Sequence, residues 1–322
     1  MIKHILIAGG GNFGSWWASS CSLLGRKVVI TVYDPYQNNL NLIKGRFYEL
    51  NKKNYEMSSD NYINKFEDIK EKIDICIVAC NSSERPKLIH DLSELINPCY
   101  WIIEKVIACT PYLLKEINDT LKNKKVLVSH SRRMQPLWQM AKIEIKNNHQ
   151  ISEINQYIGK WELLSNSFHF ADIVSWCFDT CVSKVVTNDL KHWRKSKVRK
   201  GYSEAEGKIS IIYKNNIKHN IITTKKEENN LIFLGKIAPN GEVSSLQVDE
   251  IKGTITNENK VIGTCKLYDW SNLCHYFISE LLLGNILLPS LDEVYINHYK
   301  LIDSYNSRWL NLSNQNSNLR IS

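Results

Sequence analysis

Apolar segments and helix-type patterns alternate through the first 130 residues. Short apolar runs of strand length occupy residues 5–8, 28–33, 74–79, 100–104 and 126–129, with a weaker run at 62–66. Apolar residues at helical spacing predict helices over 14–24, 85–95 and 111–122. Strands that alternate with helices are typical of βαβ units, so this region is predicted to form a parallel sheet.

The pattern changes after residue 150. Short apolar runs between Lys, Asn and Gly turns predict an antiparallel meander with strands at 209–213, 220–224, 231–237, 243–248 and 261–263. One helix is predicted before it, at 171–178, and two after it, at 270–283 and 291–305. The polar tail, 313–322, has nothing to bury and is expected to be mobile. We predict an α/β domain over 1–125 and an α+β domain with a largely antiparallel open sheet over 126–322.

Length and composition agree with two globular domains. The chain has 322 residues, 43% apolar and 23% charged, and one domain takes roughly 100 to 200 residues. No run reaches the roughly 18 apolar residues that span a membrane, and the opening MIKHILIAGGG lacks a signal-peptide layout. We therefore expect a cytoplasmic protein with no membrane partner. The nine cysteines form no Cys-x-x-Cys pair, which favours buried small side chains over disulfides or a metal site.

Basic residues outnumber acidic ones, 41 to 33, and the formal charge is +8. The densest stretch, residues 191–200, reads KHWRKSKVRK. Such a run can steer an anionic substrate, contact nucleic acid or form a solvated loop. Because no recognised nucleic-acid-binding module surrounds it, we expect no nucleic-acid partner.

A glycine-rich turn follows the first predicted strand. Gly9, Gly11 and Gly14 form a Gly-x-Gly-x-x-Gly pattern, with Asn12 and Phe13 between the last two, where a helix is predicted to begin. Such a turn lets backbone N–H groups approach a pyrophosphate at the helix N-terminus. A turn of purely structural glycines is the alternative. The context favours a Rossmann domain with a dinucleotide site.

Asp34 ends the second predicted strand, 20 residues beyond Gly14. A carboxylate in this place accepts hydrogen bonds from ribose hydroxyls, and it would repel a 2'-phosphate. No arginine follows it directly. We therefore predict NAD as the cofactor, with NADP second, while a turn aspartate in Asp-Pro is the alternative interpretation.

Further residues with polar side chains leave two strands at the same sheet edge. Cys80 and Asn81 follow the strand at 74–79, and Glu104 and Lys105 end the strand at 100–104. Open α/β sheets bind ligands at the carboxyl ends of their strands, so these four residues are predicted to line the cofactor site. A lysine here can exchange a proton with a substrate hydroxyl. The alternatives are a surface ion pair for Lys105 and a helix cap for the serines after Asn81.

His169 and Asp172 are spaced to share one face of a helix, shortly after Ser165 and Asn166. Imidazole is the side chain best suited to proton transfer near neutral pH. A histidine satisfied inside a core is the alternative. The residues just described make His169 a candidate catalytic group.

Taken together, these residues resemble the glucose-fructose oxidoreductase, inositol dehydrogenase and rhizopine catabolism family (Gfo/Idh/MocA) over nearly the whole chain. The glycine pattern and Asp34 resemble its cofactor motif. The other matching segments are Glu104-Lys105-Val106 with Glu-Lys-Pro, Arg133-x-x-Pro136 with Arg-x-x-Pro, Ser167-x-His169-x-x-Asp172 with Gly-x-His-x-x-Asp, and residues 289–305 with the closing helix.

The chain also departs from the family pattern. Val106 replaces the proline, Ser165 stands where many members carry an aspartate, and the usual histidine after the fourth strand is missing, with Arg85 and Pro86 nearby. These departures concern the alcohol-oxidising chemistry more than the fold.

The resemblance implies an NAD(P)-dependent oxidoreductase that acts on a sugar or sugar-like alcohol or ketone, and a homo-oligomer. The positive charge adds nucleotide-linked sugars to the candidate substrates. Lys105 and His169 would share proton transfer, Asp172 would orient His169, and Asn166 would bind a substrate hydroxyl. The reactive centre would be shared by both domains, with the helix near residue 171 directed at the nicotinamide. Reduction of a C=N bond and a regulator without turnover remain open alternatives.

Overall fold

The computed structural model describes residues 2–24, 28–50, 61–69, 72–148, 151–159, 161–197, 199–226, 228–237, 243–313 and 319–321. The chain divides into two compact units. The first contains Met1–Ala108, Tyr112–Ser131 and Asp269–Glu293, and the second contains Cys109–Pro111, Arg132–Tyr268 and Val294–Ser322.

The first unit is built on a six-stranded sheet with all neighbours parallel, in the order β3-β2-β1-β4-β5-β6. Its strands are β1 (Lys3–Ala8), β2 (Val28–Tyr33), β3 (Asn61–Ile63), β4 (Ile75–Val78), β5 (Tyr100–Ile103) and β6 (Val126–Val128). The strand order reverses between β1 and β4, which is the point where open α/β sheets bind ligands. The predicted parallel α/β sheet is confirmed.

The first α-helices of the described residues alternate with the strands of the first sheet, and the later ones come before, between and after the strands of the second sheet in sequence. Their bounds are α1 (Asn12–Ser22), α2 (Gln37–Leu50), α3 (Arg85–Leu95), α4 (Pro111–Thr120), α5 (Pro136–Asn148), α6 (Leu163–Cys177), α7 (Trp270–Leu282) and α8 (Leu291–Ser313). None of these helices is long and apolar enough to cross a lipid bilayer.

The second unit contains a nine-stranded sheet, in the order β15-β14-β13-β12-β7-β11-β10-β8, with β9 paired to β10. The bounds are β7 (Ile151–Ile158), β8 (Val182–Val186), β9 (Leu190–Lys195), β10 (Ser203–Tyr213), β11 (Lys218–Thr223), β12 (Asn229–Ile237), β13 (Val243–Asp249), β14 (Thr254–Asn257) and β15 (Lys260–Thr264). All neighbours are antiparallel except β7 and β11. The predicted largely antiparallel sheet is confirmed.

The prediction of a simple antiparallel meander was wrong in one respect, because β7 inserts between β12 and β11 and pairs with β11 in parallel. Its sequence, ISEINQYI, lacks strict alternation, so the period-two signal of a strand is weak. Helices α2 and α5 and strands β8, β9 and β14 were also not predicted. The basic run forms β9 rather than a loop up to Lys195, and Val198 lies outside the described residues.

Two further expectations need correction. The helix predicted from residue 171 begins at Leu163, so the eight residues before 171 are helical as well. The tail does bury side chains, because Leu319 and Ile321 are fully buried and Ser203 donates a backbone hydrogen bond to the Arg320 carbonyl (2.8 Å). Two apolar residues are enough to anchor a polar segment. Residues 314–318 and 322 lie outside the described part.

Candidate functional site

The glycine turn between β1 and α1 holds its three glycines for different reasons. Gly9 has a φ of +121°, and a Cβ there would lie 2.6 Å from the Cys80 nitrogen. A Cβ on Gly14 would lie 1.8 Å from the Gly9 carbonyl oxygen. At Gly11, the N-cap of α1, an added Cβ would meet no atom within 4 Å, and no side chain caps the helix there. Two glycines are therefore required by packing, and the third faces open space at a helix N-terminus.

The carboxylate of Asp34 is buried above this turn. Its Oδ2 accepts a hydrogen bond from the Gly10 backbone N–H (2.7 Å), and its Oδ1 accepts from the Tyr36 N–H (2.9 Å) and the Asn39 side chain (3.0 Å). A carboxylate offers about four acceptor positions, so one remains for a further hydrogen-bond donor. The contacts expected of a turn aspartate are present, whereas ribose binding by Asp34 stays a prediction.

The two side chains between Gly11 and Gly14 differ in exposure. Asn12 is exposed, and its amide oxygen accepts a hydrogen bond from the Arg46 guanidinium of α2. Phe13 is partly buried and packs edge-on against Trp16 (5.1 Å between ring centroids) and Trp270 (5.8 Å). Asn12, next to Gly11 in the chain, thus holds the Arg46 guanidinium, and Phe13 packs the loop against α1 and α7.

Arg85 ties together the loops that follow β4 and β5. Its side chain is 1% exposed, and its guanidinium donates to the carbonyl oxygens of Cys80, Glu104, Val106 and Ile107. The sequence singled out Arg85 only as a neighbour of a missing histidine. Three of these four carbonyl groups lie 19 to 22 residues away, and no local sequence pattern predicts such contacts.

Cys80 and Asn81 follow β4, which ends at Val78. Burial raises the pKa of the Cys80 thiol to about 11, so the thiol is protonated at neutral pH. Asn81 is exposed, and its carbonyl oxygen accepts hydrogen bonds from the Glu84 and Arg85 N–H groups at the start of α3.

Glu104 and Lys105 follow β5 and are both buried. The alternative of a surface ion pair is therefore wrong. The Glu104 Oε1 accepts a hydrogen bond from the Trp17 indole (2.7 Å), and burial raises the pKa of Glu104 against the opposing effect of that bond and of Arg85. The peptide bond from Lys105 to Val106 is cis.

Helix α6 carries Asn166, His169 and Asp172 in the second unit. The Asn166 side chain donates to the Glu162 carbonyl (2.7 Å), and His169 is 9% exposed. Asp172 is paired with Arg133, whose Nε donates to Oδ2 at 2.6 Å and whose Nη2 donates to Oδ1. Burial raises the pKa of Asp172, and the guanidinium opposes this effect.

The structure thus groups the predicted residues by unit. At the carboxyl edge of the parallel sheet lie the glycine turn, Asp34, Cys80, Asn81, Glu104 and Lys105. Asn166, His169 and Asp172 share α6. Among the described residues, no group of three or more His, Cys, Asp or Glu side chains is arranged to hold a metal ion.

The basic run is partly neutralised within the second unit. The Arg194 guanidinium lies 3.6 Å from Glu162 and 3.3 Å from Glu206. Arg194 is therefore paired with acidic residues of the same unit, which leaves less positive charge for an anionic ligand.

Neither a model of a known protein family nor a curated protein matches the chain. Solved structures share its fold. An oxidoreductase from Agrobacterium radiobacter, in complex with NAD+, L-tartaric acid and magnesium, has a TM-score of 0.67 and 12% identity over 95% of this chain and 96% of its own. The WlbA dehydrogenase from Chromobacterium violaceum, in complex with NADH and UDP-GlcNAcA, has a TM-score of 0.67 and 14% identity over 94% and 93%.

A third similar structure is a super-repressor mutant of Gal80p from Saccharomyces cerevisiae, with a TM-score of 0.69 and 14% identity over 97% of both chains. At these identities the shared property is the fold, and one fold serves several functions. The fold that the resemblance to the Gfo/Idh/MocA family implied is therefore confirmed.

Proposed function

We propose that this chain is an NAD(P)-dependent oxidoreductase that transfers a hydride between nicotinamide and a sugar or sugar-like alcohol or ketone, nucleotide-linked ones included. The observation that carries the proposal is the glycine turn. Gly9 and Gly14 are confined by backbone atoms, whereas Gly11 leaves open space at the N-terminus of α1, beside the buried Asp34 carboxylate. Two structures of this fold contain NAD+ and NADH.

The residues of the turn suit a dinucleotide. The first N–H groups of a helix lack intrahelical partners and favour an anionic pyrophosphate. Arg46 adds a cation next to Asn12. Asp34 would accept a hydrogen bond from the adenosine ribose, and its negative charge disfavours a 2'-phosphate. We therefore expect NAD to bind in preference to NADP.

Lys105 is the proposed proton-transfer group of the first unit. Bound nicotinamide supplies the hydride donor or acceptor. Lys105 follows the buried strand β5, and Arg85 holds the carbonyl oxygens on either side of it, so its backbone is fixed. A fixed ammonium can donate a proton to a carbonyl oxygen, and the neutral amine can accept one from a hydroxyl group.

His169 and Asn166 are the proposed groups of the second unit, for proton transfer and for binding a substrate hydroxyl. Asp172 would orient His169 from one helical turn away. Its pairing with Arg133 fixes this carboxylate, which supports a positioning role. A homo-oligomer belongs to the same proposal, and a single monomeric species in sedimentation velocity would remove that part of it.

The experiment is a calorimetric titration of the protein with NADH and NADPH, followed by turnover assays with cyclic polyols and nucleotide-linked sugars in which NADH absorbance is followed. We expect binding of NADH and hydride transfer to or from at least one of these substrates. Lys105→Met should leave NADH affinity nearly unchanged and lower turnover by about 100- to 10,000-fold. Near-normal turnover in Lys105→Met would remove the lysine from the mechanism.

A regulator that binds NAD(H) without turnover is the second candidate. Ser165 supports it, because it occupies the first turn of α6 in place of an acidic side chain, and a repressor protein shares the fold. Tight NADH binding with no turnover on the whole substrate panel would favour this candidate.

A further inference from the structure

Glu204 is a buried carboxyl group that the proposed mechanism does not use. It lies in β10 and is 1% exposed. Its Oε2 accepts a hydrogen bond from the Leu164 backbone N–H (2.7 Å), and its Oε1 accepts from the Ser165 N–H (2.9 Å). Both donors belong to the first turn of α6, where N–H groups have no partner within the helix.

The N-cap residue of α6 does not supply the hydrogen-bond acceptor for these N–H groups. Glu162, the N-cap, makes no side-chain cap hydrogen bond. Its carboxylate accepts instead from the Ser196 hydroxyl (3.0 Å) and the Lys197 N–H (2.8 Å). A cap normally comes from the N-cap side chain itself, so here a carboxylate 40 residues away in the sequence replaces it.

Among the described residues, no cation forms an ion pair with Glu204. Glu162 has the same charge, and Arg194, which faces Glu204 across β9 and β10, contacts Glu162 and Glu206. From α8, the Tyr305 hydroxyl donates to the Ser167 oxygen (2.7 Å). Burial raises the pKa of Glu204 to about 7, Glu162 contributes to the rise, and hydrogen bonds from Ser165 and Leu164 oppose it.

We propose that Glu204 is a positioning residue for the reaction proposed above, on which this inference rests. By binding the N–H groups of Leu164 and Ser165, it fixes the start of α6. The next residue is Asn166, and His169 follows one turn later on the same helix. A shift of this turn would move both side chains.

The experiment compares three variants of the full chain. Glu204→Gln keeps the shape but can accept only one of the two N–H bonds and turns an N–H donor toward the other. Glu204→Asp keeps a carboxylate on a shorter stem. Glu206→Gln is the matched control, since Glu206 lies two residues away in β10 and is exposed. Amide hydrogen exchange at Leu164 and Ser165, NADH affinity and the separate kcat and KM values are measured for each.

We expect Glu204→Gln to speed exchange by about 10-fold at the one amide that loses its acceptor, because a hydrogen bond to the buried carboxyl group is lost. It should lower kcat by about 10-fold or more and change NADH affinity by less than about 2-fold. Glu204→Asp should recover part of both losses, and Glu206→Gln should match the unaltered protein.

Unchanged kcat in Glu204→Gln would overturn the positioning role, even with faster exchange. Unchanged amide exchange at Leu164 and Ser165 in Glu204→Gln would show that the carboxyl group does not hold the start of α6. If the unaltered protein binds no NAD(H), the proposed function fails by itself. The exchange measurement needs no cofactor, so it still decides whether Glu204 holds the start of α6.

Discussion

At the scale of single residues, Asp34 has a structural role beside the cofactor-binding role that we propose for it. Three protein donors already occupy its carboxylate, and the glycine turn beneath it depends on one of them. If Asp34 also selects the cofactor, as we propose, cofactor choice and the geometry of the glycine turn depend on the same carboxylate. A substitution that tests cofactor choice must therefore preserve the geometry of the glycine turn.

We predict that Asp34→Ala narrows the preference for NADH over NADPH by about 10-fold, because the variant loses both a hydrogen bond to ribose and the repulsion of a 2'-phosphate. Calorimetric titration with each cofactor measures the ratio. Asp34→Asn, which keeps the size of the side chain, separates the effect of charge from that of loop geometry. Tighter binding of NADPH than NADH by the unaltered protein would contradict the assignment of NAD.

Glu204 makes a second residue-scale prediction, on stability. Its pKa is raised from 4.5 to about 7 in the folded state, so the folded protein holds this proton more tightly than the unfolded chain does. The resulting stabilisation is full below about pH 4.5 and is lost as the pH rises through about 7.

The free energy of unfolding of the unaltered protein, relative to that of Glu204→Gln, should therefore fall by about 2 to 3 kcal/mol between about pH 5 and pH 8. Urea titrations of both proteins at the two pH values measure it. Glu206→Gln serves as the exposed control. An equal difference at both pH values would mean that Glu204 keeps an ordinary pKa.

At the scale of elements, the β1–α1 turn offers a matched pair of glycines. Gly14→Ala should lower the free energy of unfolding by about 1 to 3 kcal/mol, because its Cβ would overlap the Gly9 carbonyl oxygen. Gly11→Ala meets no atom within 4 Å, so stability should change by less than about 1 kcal/mol. Its methyl group would nevertheless fill the space proposed for the pyrophosphate.

Urea unfolding and NADH titration of the two variants should therefore separate folding from binding. Gly11→Ala is expected to fold normally and to bind NADH at least about 10-fold more weakly. Normal NADH affinity in this variant would show that the open space at Gly11 is not the cofactor site.

Sequence patterns predicted the elements whose signal is local. The second strand, 28–33, and the third helix, 85–95, match the structure residue for residue. Helix α2 was missed because QNNLNLIKGRFYEL is rich in Asn, which favours turns and caps. The glycine turn was predictable for the same reason as the strands, since all of its parts lie within six residues.

The supporting residues of the site were not predictable in this way. Arg85 binds carbonyl groups 19 to 22 residues away, and Arg133 and Glu204 bind α6 from 39 and 40 residues away. Each is an ordinary charged residue in its local sequence. Only the fold shows that these side chains are buried and hydrogen-bonded, because sequence spacing does not encode contacts between distant segments.

At the scale of the whole molecule, the first unit takes its last helix from far along the chain. In α7, Cys274, Phe277 and Ile278 belong to the same apolar core as Trp17 of α1. The Trp17 ring packs edge-on against Phe277, with 5.2 Å between the centroids. The predicted domain boundaries, 1–125 and 126–322, stay a prediction that a fragment experiment can address.

We predict that residues 1–131 alone do not form a cooperatively folded unit, because the fragment lacks the apolar face of α7, and that co-expression with residues 269–293 restores it. In the full chain, Phe277→Ala should cost about 3 to 5 kcal/mol, whereas Tyr276→Ala, at a side chain that is 48% exposed, should cost less than about 0.5 kcal/mol. Urea unfolding gives the free energy of unfolding of the full-length variants. Two-dimensional NMR with NADH titration shows whether the fragments fold and bind the cofactor. A fragment 1–125 with dispersed amide resonances and normal NADH affinity would contradict this prediction, because α7 would then be dispensable for the first core, and the boundary at residue 125 would mark a domain that folds by itself.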